Sequence, residues 1–112
     1  MEVRASARDI GVSARKARLI LDRLPGLSVD QSLALLRYVQ SPHARSVSKV
    51  VLSAASNAEN NFDLDVDDLV VKRAYADEAR TNRRFKARSR GRVSPILRRA
   101  SHITIILDER GA

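Results

Sequence analysis

The sequence contains no cysteine, no tryptophan and little aromatic side-chain volume. Without cysteine, its 112 residues form no disulfide and no thiolate metal site, and this absence fits a reducing compartment. Phe and Tyr together make up 4% of the chain, so we expect a core of Leu, Val, Ile and Ala. No hydrophobic run is long enough to cross a bilayer, and no apolar signal core follows the N-terminus. We therefore expect a cytoplasmic protein with no membrane partner.

Acidic residues are absent from one stretch, Arg80–Arg99, which carries nine basic residues. The whole chain has 21 Lys and Arg against 13 Asp and Glu, a net charge of +8. Arginine dominates this surplus, and its planar guanidinium binds phosphate at two points and stacks on bases. A free run of like charges would repel itself, and its apolar residues form no clean amphipathic face for a membrane. The composition therefore favours a nucleic acid as the partner.

Three helices are predicted in the first half of the chain. Ser13 is placed to cap the first, and Ser28 caps the second, with Gln31 three residues later completing a capping box. Ser41 is the expected cap of a third helix of roughly 18 residues, with Pro42 at its first helical position. The expected stop signals are Pro25-Gly26 after the first helix and Asn60-Asn61 after the third.

The N-terminal segment and an acidic segment surround these helices. Glu2–Arg8 alternates apolar and polar residues, which predicts a weak strand, and a loop is expected at Asp9–Gly11. The aspartates between residues 63 and 68 lack the spacing and the glycine of a calcium loop. We interpret them as a solvated turn.

Two stronger strands, Leu69–Ala76 and His102–Leu107, flank the basic stretch almost symmetrically. Because one chain segment joins them, they are expected to pair antiparallel, with Val71 and Ile105 equally far from Arg88. Pairing continued inward gives a hairpin whose turn lies near Arg88–Gly91 and whose arm projects on the order of 35 Å.

The predicted fold class is α+β: three helices packed on a small antiparallel sheet, with a long projecting two-stranded β-hairpin. One domain of 112 residues is expected. Its globular part would comprise residues 1–78 and 99–112, and its hairpin arm residues 79–98.

Three groups of side chains are candidate RNA contacts. The arm contributes Arg80, Arg83, Arg84, Lys86, Arg88, Arg90, Arg92, Arg98 and Arg99. Arg15, Lys16 and Arg18 crowd the start of the first helix, where the helix dipole disfavours cations and an external anion would be stabilised. An ordinary exposed helix face is the alternative for these three. His102, at the start of the last strand, is interpreted as structural or as an RNA contact.

Nothing in the sequence supports catalysis. The two histidines form no nucleophile triad with a marked serine, and no glycine-rich phosphate loop is present. We therefore predict a protein that is not an enzyme and has no cofactor and no metal.

The basic segment and its flanks carry a spaced pattern. Arg83 is followed after four residues by Arg88-Ser89, then by Gly91-Arg92, and after nine more residues by His102-Ile103. Ser13 with Arg15-Lys16, the run Ser56–Asn60 and the pair Asp77-Glu78 add to it. With these motifs the chain resembles, from end to end, the large-subunit ribosomal protein family conventionally numbered twenty-two, in its bacterial form.

The resemblance implies a structural constituent of the large ribosomal subunit that binds rRNA and aids subunit assembly. It implies a globular domain near the tunnel exit and a hairpin whose tip lines the polypeptide exit tunnel. Carried over by position, the tip comprises Arg88, Ser89, Arg90, Gly91 and Arg92. The implied partners are large-subunit rRNA, neighbouring ribosomal proteins and the passing nascent polypeptide, with no homo-oligomer. The alternative is a free basic regulator that binds RNA or DNA outside the ribosome.

Overall fold

The computed structural model describes residues 2–80, 82–87 and 93–110. For Asp9 and for residues 82–87 and 93–98 it describes the backbone only. The elements follow in the order β1 Val3–Ile10, α1 Ala14–Leu21, α2 Val29–Tyr38, α3 Ala44–Phe62, a short 3-10 turn Val66–Asp68, β2 Leu69–Glu78, β3 Asn82–Ala87, β4 Val93–Arg98 and β5 Ser101–Glu109. The expected α+β class is confirmed, since three α-helices pack on a three-stranded antiparallel sheet.

The three-stranded sheet places β5 in the centre, between β1 and β2. The predicted apolar side of β5 is confirmed, because Ile103, Ile105 and Leu107 are all fully buried. Their partners Val3 and Ala5 on β1 are also buried, and all five side chains belong to the core beneath the helices. Alternate residues of each strand therefore face the helices, and the remaining residues form the opposite face.

The helices present small and aliphatic residues to this sheet. α3 buries Ala54, Ala55 and Ala58 among its valines, and these small side chains allow it to lie close to β1 and β5. The predicted caps of α1 and α2 are confirmed. Ser13 accepts from Lys16 N–H, and Ser28 forms the complete capping box with Gln31. In the described part of the chain, no helix has both the length and the apolarity to span a membrane.

Two predicted helix boundaries were wrong. Ser41 and Pro42 do not begin α3, which starts at Ala44, after the N-cap His43. The Ser41 hydroxyl instead accepts from His43 N–H at 3.3 Å, so it closes a local turn before the helix. The helix also continues past the expected stop and ends at Phe62, because Asp63 takes the left-handed conformation that breaks the ladder.

The strand boundaries need similar corrections. β1 includes Asp9 and Ile10, which were expected in a loop, because a register shift after Ala7 lets Ile10 pair with Ser101. β2 and β5 are both longer than expected, and Ser101, not His102, opens β5.

The register between β2 and β5 also differs from the prediction. Val71 pairs with Leu107, and Ala74 pairs with Ile105. The centre of the paired segments therefore lies one to two residues after Arg88, the residue where the prediction had placed it.

The ladder of β2 and β5 continues into a second, two-stranded sheet. Ala79 N–H donates to Ala100 C=O at 3.0 Å, and β3 then pairs with β4 from Asn82–Arg98 to Ala87–Val93. The molecule measures 62 × 26 × 18 Å, and its radius of gyration is 17.0 Å. A compact chain of this length would have a radius of about 13 Å, so the hairpin extends the molecule. The predicted turn at Arg88–Gly91 lies outside the described residues.

Candidate nucleic-acid interface

The base of the hairpin brings together two basic groups that are far apart in the sequence. Arg15 in the first turn of α1 and Arg99 before β5 line one cleft of about 310 Å³. Glu78, at the end of β2, lies in the same cleft. α1 reaches this position because its buried face packs on β2, which directs its N-terminus towards the point where the arm leaves the body.

This cleft combines several groups that bind anions. Both arginines are exposed, and the N-terminus of α1 contributes backbone N–H groups and the positive end of its dipole. The first turn of α1 contains no acidic residue. Glu78 also lines the cleft, so two arginines and one carboxylate leave it with a net positive charge.

Lys16 and Arg18 are directed elsewhere. Lys16 lines a separate groove of about 280 Å³ beside Leu19, Arg23 and His43. Arg18 donates from Nε and Nη2 to the backbone oxygen of Ala76, at 3.1 and 2.9 Å. Of the three cations predicted as one group, Arg15 alone lines the cleft at the hairpin base.

The predicted contacts of the arm fall into three groups: residues at its base, residues on its strands and residues at its tip. Arg80 and Arg99 are exposed at the base, and His102 is half-buried on β5. The backbone ladder of β3 and β4 carries Arg83, Arg84, Lys86 and Arg98. The predicted tip residues Arg88, Ser89, Arg90, Gly91 and Arg92 lie outside the described residues.

The acidic segment has the solvated character expected of it. Asp63, Asp65, Asp67 and Asp68 are all exposed, and Asp65 accepts from Asp67 N–H at 3.0 Å to cap the 3-10 turn. Among the described residues, no group of three or more His, Asp or Glu side chains is arranged to hold a metal ion.

One charged cluster joins the strands at the end of the sheet remote from the arm. Lys72 forms ion pairs with Glu2 and, at 3.6 Å, with Asp108. The hydrogen bond and charge of Lys72 lower the pKa of Glu2, and Glu2 in turn raises the pKa of Lys72. A hydrogen bond from Glu109 N–H is the main reason that the pKa of Asp108 is lowered. These ion pairs connect the residue before β1 with β2 and β5.

Sequence reasoning missed two exposed arginines on the sheet, Arg4 and Arg73. They pair with the same residue of the central strand, Ile106, one from each side. The alternation of Glu2–Arg8 placed Arg4 on the polar side of β1. The sequence did not predict the bulge between Val71 and Arg73. This bulge changes which residues of β2 share a face, so the prediction did not place Arg73 beside Arg4.

Comparison with known proteins decides the family. The sequence pattern of the family described as "Ribosomal protein L22p/L17e" matches residues 5–108, which is nearly the whole chain. The chain belongs to the ribosomal protein L22p/L17e family. It is therefore a structural constituent of the ribosome and not an enzyme. The match includes β2, β3 and β4 and all of β5 except its last residue.

Curated relatives agree with this assignment. The large ribosomal subunit protein uL22 of Dehalococcoides mccartyi strain BAV1 is 51% identical over 107 residues, covering 96% of this chain and 98% of the relative. The protein of the same name from strain CBDB1 has the same identity and coverage. That from strain 195 is 50% identical, with the same coverage.

Proposed function

We propose that this L22p/L17e-family chain is a component of the large ribosomal subunit that binds rRNA through its hairpin arm. The observation that carries the proposal is the ladder of β3 and β4, which extends beyond the core in a segment with nine basic residues and no acid. An isolated two-stranded ribbon is marginal in water, so such an arm needs a partner. Its charge favours a polyanion as that partner, and the relatives are named as proteins of the large ribosomal subunit.

The proposed division of labour follows the architecture. The body, residues 1–78 and 99–112, would hold the arm, residues 79–98, in a fixed direction through the continuous β2–β5 ladder. Arg15 and Arg99 at the cleft would bind phosphate where the arm leaves the body. Along the arm, Arg83, Arg84, Lys86 and Arg98 would neutralise phosphates and help rRNA segments to converge during assembly.

The tip is assigned by resemblance alone. Arg88, Ser89, Arg90, Gly91 and Arg92 would line the polypeptide exit tunnel, with the nascent chain passing beside them. The remaining partners would be neighbouring large-subunit proteins, in the cytoplasm. His102, at the base of the arm on β5, would be an additional RNA contact.

Sucrose-gradient fractionation tests the assignment to the subunit. The tagged chain is expected to migrate with the large subunit and to remain there after a high-salt wash. A chain recovered only from the free fractions would contradict the proposal and would favour a regulator that acts outside the ribosome.

A binding assay tests the arm itself. We expect replacement of Arg83, Arg84 and Lys86 by alanine to reduce the dependence of log K on log salt by roughly 2, because about 0.7–0.9 is lost per phosphate contact. The matched control replaces three exposed arginines of the body, Arg23, Arg37 and Arg45. Equal losses in the two triple variants would show that the arm has no special role.

A further inference from the structure

The face of the three-stranded sheet opposite the helices carries an arrangement that the hairpin does not explain. In one cross-strand row, Ile106 of β5 lies between Arg4 of β1 and Arg73 of β2. In the next row, Thr104 lies between Ser6 and Tyr75. We call these six residues the open sheet face. Arg4, Ser6 and Arg73 are exposed and Tyr75 is half-exposed, so no helix covers this face within the described part of the chain.

The two arginines cover an apolar residue. Ile106 is 3% exposed, yet it lies apart from the hydrophobic core beneath the helices. Its burial is explained by the aliphatic stems of Arg4 and Arg73, which flank it in the register. In the part of the chain described, neither guanidinium has a side-chain hydrogen bond or an ion pair. Two cationic groups therefore lie on the sheet with no hydrogen-bonded or ion-paired partner among the described residues, although, after Lys72, the charge of Arg73 also helps to lower the pKa of Glu2.

The second row adds an aromatic ring. Tyr75 stands beside Thr104, whose hydroxyl lies 3.3 Å from that of Ser6. Unstacked bases bind to such surfaces by stacking on an aromatic ring, while nearby guanidinium groups bind the phosphates. The neighbouring carboxylates, Glu2 and Asp108, are paired with Lys72 and so repel an approaching phosphate less.

We propose that the open sheet face is a second RNA-binding surface, where a single-stranded or bulged rRNA segment stacks a base on Tyr75 and places phosphates on Arg4 and Arg73. This inference rests on the proposed function and extends it from the arm to the body. A protein ligand is disfavoured because the aliphatic residue of this face, Ile106, is already covered. The sheet is held by two ladders, so the platform needs no ordering before it binds.

The test compares full-length variants for binding to in vitro transcribed large-subunit rRNA. Replacing Tyr75 by leucine is expected to weaken binding on the order of tenfold, whereas phenylalanine, which keeps the ring, should retain wild-type affinity. The control is the change of Tyr38 to leucine on α2, where the side chain is 85% exposed. Thermal melts identify any variant that does not fold. If the leucine variant fails to fold, the double variant of Arg4 and Arg73 decides the test.

Salt dependence separates the arginines from the ring. The double change of Arg4 and Arg73 to alanine should lower the slope of log K against log salt by roughly 1.4, from about 0.7 per single-strand phosphate. Replacing Arg37 and Arg45, two exposed helix arginines, is the charge-matched control. A wild-type slope in the Arg4 and Arg73 variant would overturn the proposal.

Photo-cross-linking locates the contact directly. Irradiation of the assembled subunit, followed by nuclease and trypsin digestion, should yield the tryptic peptide of residues 74–80, which contains Tyr75, with a nucleotide attached. If the arm variant binds rRNA more weakly but still gives this cross-link, the second surface is supported independently of the arm. If the arm variant loses rRNA and the Tyr75 variant does not, the second surface fails and the proposed function stands. If the face variants bind naked rRNA normally but leave the subunit, the ligand is a protein and the inference is wrong.

Discussion

The guanidinium of Arg18 donates two hydrogen bonds to the backbone oxygen of Ala76, which lies 58 residues later in the chain. Ala76 belongs to β2, an outer strand, so its outward carbonyl has no strand partner. The same edge is occupied further along, where Gly26 N–H donates to Val71 and Val71 N–H donates to Leu27, both at 2.8 Å. Together these bonds close the outer edge of β2 at two points and fix α1 beside the root of the arm.

Replacing Arg18 by lysine should reduce stability although it preserves the charge. A lysine amine cannot reproduce the two-point donation, so the Ala76 carbonyl loses part of its bonding. We expect the free energy of unfolding to fall by about 1 kcal/mol, as measured by urea denaturation. The change of Arg15 to lysine, on the same exposed helix surface, should alter it by less than about 0.5 kcal/mol. Equal effects at both positions would mean that the contact with Ala76 adds nothing to stability.

Deleting Arg84–Arg92 should leave the body folded. The core of the described residues is drawn from β1, the three helices, β2, β5 and the loop residues Val12 and Leu24, and the deletion keeps all of them. Circular dichroism should show the same helical signal as the full chain, while affinity for large-subunit rRNA falls and its salt dependence weakens. Loss of the helical signal would show that the arm supports the body.

The sequence predicted those features that depend on local chemistry. Ser13 and Ser28 cap their helices as expected, because a serine hydroxyl at that position has one obvious N–H to accept from. The core-facing side of β5 was also predicted, because Ile103, Ile105 and Leu107 are alternate residues and therefore lie on one face of the strand. The symmetry of the segments on either side of the basic stretch predicted that β2 and β5 pair antiparallel, but it did not predict their register.

The features that escaped prediction depend on contacts between distant segments. The bulge after Val71 moves Arg73 to the open face, and no local pattern marks it. Arg18 was interpreted as one of three RNA-binding cations. Its actual acceptor is a backbone oxygen, which every residue has, so no side chain in the sequence marks the contact. The cleft at the hairpin base required α1 and the arm to meet, which spacing along the chain cannot reveal.

Replacing Asp63 by glycine should stabilise the protein. Asp63 ends α3 with a φ of 52°, a conformation that costs a non-glycine residue energy, and its carboxylate lies at the negative end of the helix dipole. Glycine removes both penalties, so we expect a gain of about 0.5–1 kcal/mol in urea denaturation. The change of Asp65 to glycine should instead destabilise, since Asp65 accepts from Asp67 N–H. A gain in both variants would point to relief of general charge repulsion and would contradict the conformational argument.

Stability should fall in acid partly through the cluster of Glu2, Lys72 and Asp108. The lowered pKa of each carboxyl means that its contribution is present above its ordinary value, 4.5 or 3.8, and is lost as the pH falls through the lowered value. The raised pKa of Lys72 means that its contribution is present below 10.5 and is lost as the pH rises beyond that value.

Replacing Lys72 by methionine separates the two carboxyls. Lys72 is the main cause of the shift at Glu2, whereas Glu109 N–H is the main cause at Asp108, so the variant should lose chiefly the acid dependence that comes from Glu2. At neutral pH the variant should be less stable than the wild type, and the difference should shrink as the pH falls below the ordinary carboxyl values of 4.5 and 3.8 and the carboxyls take up protons. Added salt should shrink it as well, because the pair is half-exposed. Urea denaturation across this range provides the measurement, with Lys49 to methionine as the exposed-lysine control. A difference that stays constant from neutral to acid pH would show that Lys72 acts by packing and that its charge is irrelevant to folding.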